Sequence, residues 1–177
     1  MTKSTYLLRH GESEYNVADI ILHHDTPLTQ KGIAQAESCA RRCEKIPFEA
    51  IVSSSYERAV RTSVILDRGQ GRHLYKTSLL RGYRFPESVV GMPKSMAFFE
   101  AILRGDERRF SGGETFKTMI WRGVEALALI ASLKERVLLV TSHSMFIYVM
   151  IMCMTHGKEF SYREFADFFH TFALSST

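Results

Sequence analysis

The chain has 177 residues, 45% of them apolar and 24% charged, with a formal charge of +4. Those proportions belong to a globular protein of about one domain and exclude disorder, collagen-like repeats and a coiled coil. A surplus this small does not mark a nucleic-acid binder, so no nucleic-acid partner is expected.

Thr5–Leu8 is a short apolar and β-branched run ending in Arg9-His10-Gly11, and it reads as a buried first strand with a helix after it. Thr29 opens a helical stretch with Ile33, Ala36, Ala40 and Cys43 on one face, and Pro47 closes it. Ala50–Val52 is a second strand that stops at Ser53–Ser55. Serine is a favoured N-cap, and Ala59, Val60, Ser63 and Val64 follow at helical spacing up to Gly69. A third strand is expected around His73–Tyr75. Pro86, Gly91, Pro93, Gly105 and Gly112 mark an irregular insertion, about residues 82–113, around a short helix near Met96–Leu103. From Glu114 the residues Phe116, Ile120, Val124, Leu127 and Ala131 predict a long amphipathic helix. Val137–Val140 is an apolar strand, broken by Thr141-Ser142-His143-Ser144 before another helix. Strands alternating with helices predict a single α/β domain over 1–177. Its architecture would be three layers, with a mostly parallel central sheet and helices on both faces.

Val137 to Met154 approaches transmembrane length, but four consecutive polar residues near its middle would be costly in lipid, so no membrane association is expected. Three cysteines, Cys39, Cys43 and Cys153, are an odd number without a CxxC pair and point to a reducing compartment. The N-terminus turns polar after three apolar residues, too early for a signal-peptide core. A cytoplasmic location follows as the expectation.

The basic residues are not evenly spread. Tyr56 to Arg109 carries 11 Lys and Arg against 6 Asp and Glu, whereas the remainder has 12 against 13. Arginine supplies 15 of the 23 basic residues, and its rigid donor fork suits phosphate and carboxylate. The first and last strands each end in a histidine, His10 and His143, and open parallel sheets bind ligands beyond their strands' carboxyl ends. Arg9 beside His10 would oppose a metal cation and favour a phosphate. Gly11 would let the backbone approach a ligand closely, and the following helix could turn amides toward an anion. Arg58 falls on the first turn of the helix after Ser53–Ser55, again at a strand's carboxyl end.

Four blocks in this order resemble the histidine phosphatase superfamily, also called phosphoglycerate mutase-like. They are Leu8-Arg9-His10-Gly11-Glu12-Ser13-Glu14-Tyr15-Asn16; Asp25-Thr26-Pro27-Leu28-Thr29-Gln30-Lys31-Gly32 with Gln35-Ala36; Ser53 through Thr62; and the strand ending at His143. The resemblance implies a phosphoglycerate mutase-like fold and a phosphatase for a small phosphorylated metabolite. His10 would be the nucleophile and form a phosphohistidine that water hydrolyses. Arg9 and Arg58 would clamp the phosphoryl oxygens, His143 would be a further cationic donor, and Asn16 a neutral donor at the pocket edge. Gly11, Ser144, Arg81 and Arg84 are the remaining candidate substrate contacts, with Lys94 a further pocket-lining candidate. No metal and no cofactor is required by this chemistry.

One element departs from the family pattern. Relatives place a glutamate in a Leu-x-Glu pattern after the third strand as proton donor to the leaving oxygen. Here the run is Leu80-Arg81-Gly82-Tyr83-Arg84-Phe85-Pro86-Glu87, with Gly82 at the glutamate's position. General acids are typically worth about 10²–10⁴-fold. Three outcomes follow. Glu87 substitutes as the acid; or the substrates have good leaving groups, such as phosphohistidine or acyl phosphate; or the protein is a low-activity phospholigand-binding regulator or carries an aberrant glycine. A phosphoglycerate mutase is the lesser expectation, because those mutases are longer and Arg108-Arg109 sits in a different context. His23 and His24 fall at the family's pocket-lip loop and read as surface residues. Relatives continue past the segment matching Phe172–Thr177 with a further edge strand, so the expectation is either a truncated chain or a bare sheet edge, and a bare edge would invite pairing into a homodimer.

Overall fold

The computed structural model describes residues 2–94 and 112–173. Among these, four strands form one parallel sheet: β1 (Ser4–Arg9), β2 (Ala50–Ser54), β3 (His73–Thr77) and β4 (Val137–Ser142), in the order β1-β4-β2-β3. The central strands explain their own sequence. β2 is buried at every position and β4 at all but its first, so both read as continuous apolar or small runs rather than alternating ones.

Alternation survives in which face each side chain meets. Ala50, Val52, Leu138 and Val140 face one core, completed by helices α4 (Phe116–Ser132), α5 (Ser144–His156) and α6 (Tyr162–Ala173) through Met119, Phe146, Met150 and Phe165. Ile51 and Leu139 face the other, with Ala40 and Cys43 of α2 (Gln30–Cys43) and Leu66 of α3 (Glu57–Asp67). Helices therefore cover both faces, as the α/β pattern predicts. No helix among the described residues is long and apolar enough to cross a membrane.

Several boundaries differ from the sequence-based expectation. The helix after Gly11 is a single turn, α1 (Glu14–Val17). The serines do not cap α3: Ser53 and Ser54 extend β2, and Tyr56 is the N-cap residue. A buried strand end that supplies a side chain to a neighbour outcompetes the local capping preference. In α4 the buried stripe is Phe116, Met119, Ile120, Gly123, Ala126 and Ile130, with Val124 and Leu127 half-buried and Ala131 exposed. The helix is thus turned from the predicted face, because Gly123 packs against Cys153 and Val149 of α5. The helix expected near Met96–Leu103, and Arg108-Arg109, lie outside the described residues.

Two features bring the site together. Arg9 pairs with Ser142 in register, and the His10 amide donates to the Ser142 carbonyl at 3.0 Å, so His10 and His143 leave adjacent strands side by side. Gly11 then runs against the first turn of α2: a Cβ on Gly11 would lie 2.3 Å from the Gly32 carbonyl oxygen, and one on Gly32 would lie 1.9 Å from that of Glu12. Only two glycines permit this backbone-to-backbone contact.

Candidate active site

A cavity of about 130 Å³ opens at the carboxyl ends of β1, β2 and β4, lined by Arg9, His10, Asn16, Arg58, His143 and Ser144 together with Tyr15, His24, Gly82, Tyr83, Phe85 and Met145. His10 is 6% exposed. Its Nδ1 lies 2.6 Å from the Gly11 carbonyl, which can only accept, so Nδ1 carries the proton and Nε2 presents a lone pair. Arg58 Nε donates to that Nε2 at 3.2 Å. Arg58 Nη2 reaches His143 Nδ1 at 3.3 Å, and a guanidinium can only donate, so His143 holds its proton on Nε2 and donates it to Ser54 Oγ at 2.8 Å. One arginine thus spans both imidazoles, whose ring centroids are 4.8 Å apart.

Burial and charge keep both rings neutral. Burial first and the Arg58 guanidinium second pull His10 down to about 3. His143 is held well below the usual imidazole range by burial, then by His10 and Arg58. His143 is therefore an acceptor from Arg58 in the unliganded site and not the standing cation that the resemblance implies.

The other candidates sort clearly. Arg9 is exposed and lines the cavity, and its side chain makes no hydrogen bond among the described residues. Asn16 does two things: Oδ1 accepts from Ser13 N at 3.0 Å and Ser13 Oγ at 2.9 Å, while the side chain lines the cavity. Ser144 and Met145 begin the 13-residue α5, whose first-turn amides lack helical acceptors. The first turns of α1, through Tyr15 and Asn16, and of α3, through Arg58, border the same cavity. Gly11 does not: its amide donates to Thr62 Oγ1 at 3.1 Å, and its lack of a side chain serves contact with Gly32 rather than with a ligand.

Glu87 is not in the cavity wall. It lies in a 3₁₀ turn (Glu87–Val89) with its side chain 79% exposed, 3.7 Å from an equally solvated His23. Arg81 and Arg84 line a different cavity of about 510 Å³ between the segment after β3 and α4. Arg81 Nε donates to Ser55 Oγ at 2.6 Å, and its guanidinium lies 5.1 Å from the Tyr56 ring centre. Lys94 Nζ caps α1, donating to the Tyr15 and Ala18 carbonyls.

Some wall residues have no local sequence signal. His24, expected at the surface, stacks at 5.2 Å on Tyr56, and its carbonyl accepts from Arg58 Nη1. Tyr15 stands between the Arg58 guanidinium, 5.4 Å from its ring centre, and Lys94 Nζ at 3.9 Å. Behind this wall, lining the 510 Å³ cavity, Arg122 of α4 and Glu114 before it form a fork-to-fork pair with two 2.7 Å bonds. Nothing in the eight-residue separation of Glu114 and Arg122 predicts that pairing, since helical neighbours lie three or four residues apart and Glu114 precedes the helix.

Residues 5–172 match the profile of the histidine phosphatase superfamily (branch 1). The chain belongs to the histidine phosphatase superfamily. Over 66 residues it is 41% identical to an adenosylcobalamin/alpha-ribazole phosphatase of Salmonella typhimurium, covering 37% of this chain and 33% of that protein. Over 62 residues it is 42% identical to a probable phosphoglycerate mutase of Proteus mirabilis, covering 34% and 29%. The matches thus span about a third of these curated relatives' length. Among solved structures, the alpha-ribazole phosphatase of Shigella flexneri superposes with a TM-score of 0.73 at 21% identity, over 86% of this chain and 79% of that one. A mycobacterial glucosyl-3-phosphoglycerate phosphatase complexed with VO3 gives 0.66 at 26% identity, over 84% and 79%. These neighbours have the phosphoglycerate mutase-like fold that the four blocks imply.

Proposed function

We propose that this protein is a phosphatase that hydrolyses a small phosphorylated molecule through a phosphohistidine on His10. The observation that carries the reading is the Nε2 lone pair of a neutral, buried His10, aimed into a phosphoryl-sized cavity and bridged by Arg58 to His143. Nε2 attacks phosphorus, the P–N bond forms and the bond to the leaving oxygen breaks. Arg58 passes its N–H from Nε2 to the phosphoryl oxygens, with Arg9, the amides at the start of α5 and Asn16 as further donors. A bound dianion supports the protonated form of His143, which then adds its charge. Water next attacks phosphorus, the P–N bond breaks, and inorganic phosphate leaves with neutral His10 restored. Positioning and electrostatic stabilisation supply most of the rate in such transfers.

No carboxyl group lines this cavity among the described residues. The site therefore favours substrates whose leaving group departs without a donated proton, such as an acyl phosphate, a phosphohistidine or an aryl phosphate, over alkyl phosphates. The names of the relatives make alpha-ribazole phosphate and phosphoglycerate members of the test panel. A reading as a phospholigand-binding regulator shares the same cradle, and the mutase reading requires a second phosphoryl acceptor step.

The experiment is a rapid alkaline quench with mass spectrometry during turnover of acetyl phosphate and 4-nitrophenyl phosphate. Phosphate on His10, absent in His10→Ala, is the expected result. Tight phosphate binding without any phosphohistidine would establish the regulator instead.

A further inference from the structure

Four successive carbonyls after β3 are held by two side chains. Arg122 donates to the carbonyls of Leu79 at 2.9 Å, Arg81 at 2.6 Å and Gly82 at 3.3 Å. Ser142 Oγ donates to the carbonyl of Leu80 at 2.7 Å. Arg122 is fixed in turn by the two bonds to buried Glu114 and by the Phe146 ring, whose centre is 3.9 Å from the guanidinium carbon. Glu114 also accepts from the Arg84 amide at 3.3 Å. A segment whose carbonyls are all engaged, three of them by a planar, charge-paired fork, has little freedom to withdraw.

The segment ends on the cradle. A Cβ on Gly82 would lie 3.1 Å from Cγ and 3.3 Å from Cβ of His143, so the Gly82 backbone runs alongside that imidazole with less than a methyl group's room between them. Ser54 and Arg58 take the two ring nitrogens, and Tyr56 meets the ring edge-on at 5.3 Å. His10 packs on the imidazole at 4.8 Å between ring centres, and Gly82 borders the ring where a side chain would crowd it. Arg122 does not line the cradle; it acts from behind the wall.

We infer that Arg122 is a positioning residue: by holding the Leu79–Gly82 backbone against His143, it sets the plane of that imidazole and so the aim of its bonds to Arg58 and Ser54. A lysine cannot do this, since a single ammonium does not reproduce a fork that serves three carbonyls and a carboxylate at once. The catalytic meaning of the role rests on the phosphatase reading; the orientation of the ring does not.

The test compares native protein with Arg122→Lys and with Glu114→Gln, which loosens the clamp with little change of shape. Thermal melts establish that each variant is folded. The readouts are the ¹⁵N-imidazole resonances of His143, the affinity for orthovanadate, and kcat and KM for 4-nitrophenyl phosphate. In Arg122→Lys the His143 resonances should move, vanadate should bind about 10–100-fold more weakly and kcat should fall by a similar factor, while KM stays within about threefold. Millimolar guanidinium should restore part of kcat in Arg122→Ala and none in Arg122→Lys. His143 resonances and vanadate affinity that match the native protein in a folded Arg122→Lys would overturn the inference. Native protein that forms no phosphohistidine, alongside His143 resonances that move in the variant, would sink the phosphatase reading and leave the clamp standing.

Discussion

Arg58 and His10 meet nitrogen to nitrogen: Nε of the guanidinium stands 3.2 Å from Nε2 of the imidazole, and both side chains are buried. The contact occupies the Nε2 lone pair that the proposed mechanism uses to attack phosphorus. The same guanidinium reaches Nδ1 of His143, so one side chain bonds both rings.

Replacing Arg58 by lysine keeps a charge and loses the fork. By comparison with the loss of one preorganised donor, kcat/KM for 4-nitrophenyl phosphate should fall by about 10²–10³-fold. Steady-state kinetics with melts alongside measure this, and a loss below tenfold would mean the arginine is not a transition-state clamp.

His10 makes acid stability a property of the site. Its imidazole is lowered to about 3 in the fold, by burial first and Arg58 second. Between that value and the ordinary ~6.5, the unfolded chain binds a proton that the folded chain refuses, so stability falls as pH drops through this window and returns above it. At about 1.4 kcal/mol per pH unit, His10 should cost on the order of 3 kcal/mol between pH 6.5 and 4.5. His143 is shifted the same way and adds to the slope. Urea titrations of native protein and His10→Gln across that range should show a shallower pH dependence in the variant.

Glu87 lies in solvent opposite His23. Glu87→Gln should therefore leave turnover of alkyl and aryl phosphates within about twofold of native, the scale of an ordinary surface substitution. A selective loss on alkyl esters would restore it as a proton donor.

Gly82 separates crowding from acid catalysis. Gly82→Ala adds only a Cβ at 3.1 Å from His143 Cγ, and turnover of both substrate classes should fall. Gly82→Glu adds the same Cβ and a carboxyl group. The ratio of Glu to Ala variants should be near one on 4-nitrophenyl phosphate and about 10²-fold on an alkyl phosphate, the low end of general-acid effects.

Gly11→Ala forces a methyl to 2.3 Å from the Gly32 carbonyl oxygen. Overpacking of this kind costs about 1–3 kcal/mol, and here the obstacle is backbone that cannot rotate aside. Chemical denaturation should show that loss or more; unchanged stability would mean that strand and helix part easily.

The features legible along the chain are those whose cause is local. A two-sided buried strand must be an apolar run, so Ala50–Val52 and Val137–Val140 declared themselves, and Thr29 capping α2 accepts from the Gly32 amide at 3.0 Å as its residue type predicts. Arg9-His10 and His143 at strand ends pointed to one cradle, and the register of β1 on β4 brings them there. Partnerships between distant segments left no comparable trace. Ser54 looks like a helix cap until His143, 89 positions later, takes its hydroxyl. His24 looks solvated until Tyr56 stacks on it, and Glu87 looks like an acid until the chain turns it outward. Residue chemistry and period travel with the sequence because they depend on neighbours a few positions away. Which carboxyl is excluded, which arginine grips a loop and which glycine faces an imidazole depend on the closing of the whole sheet, and only the packed fold settles them.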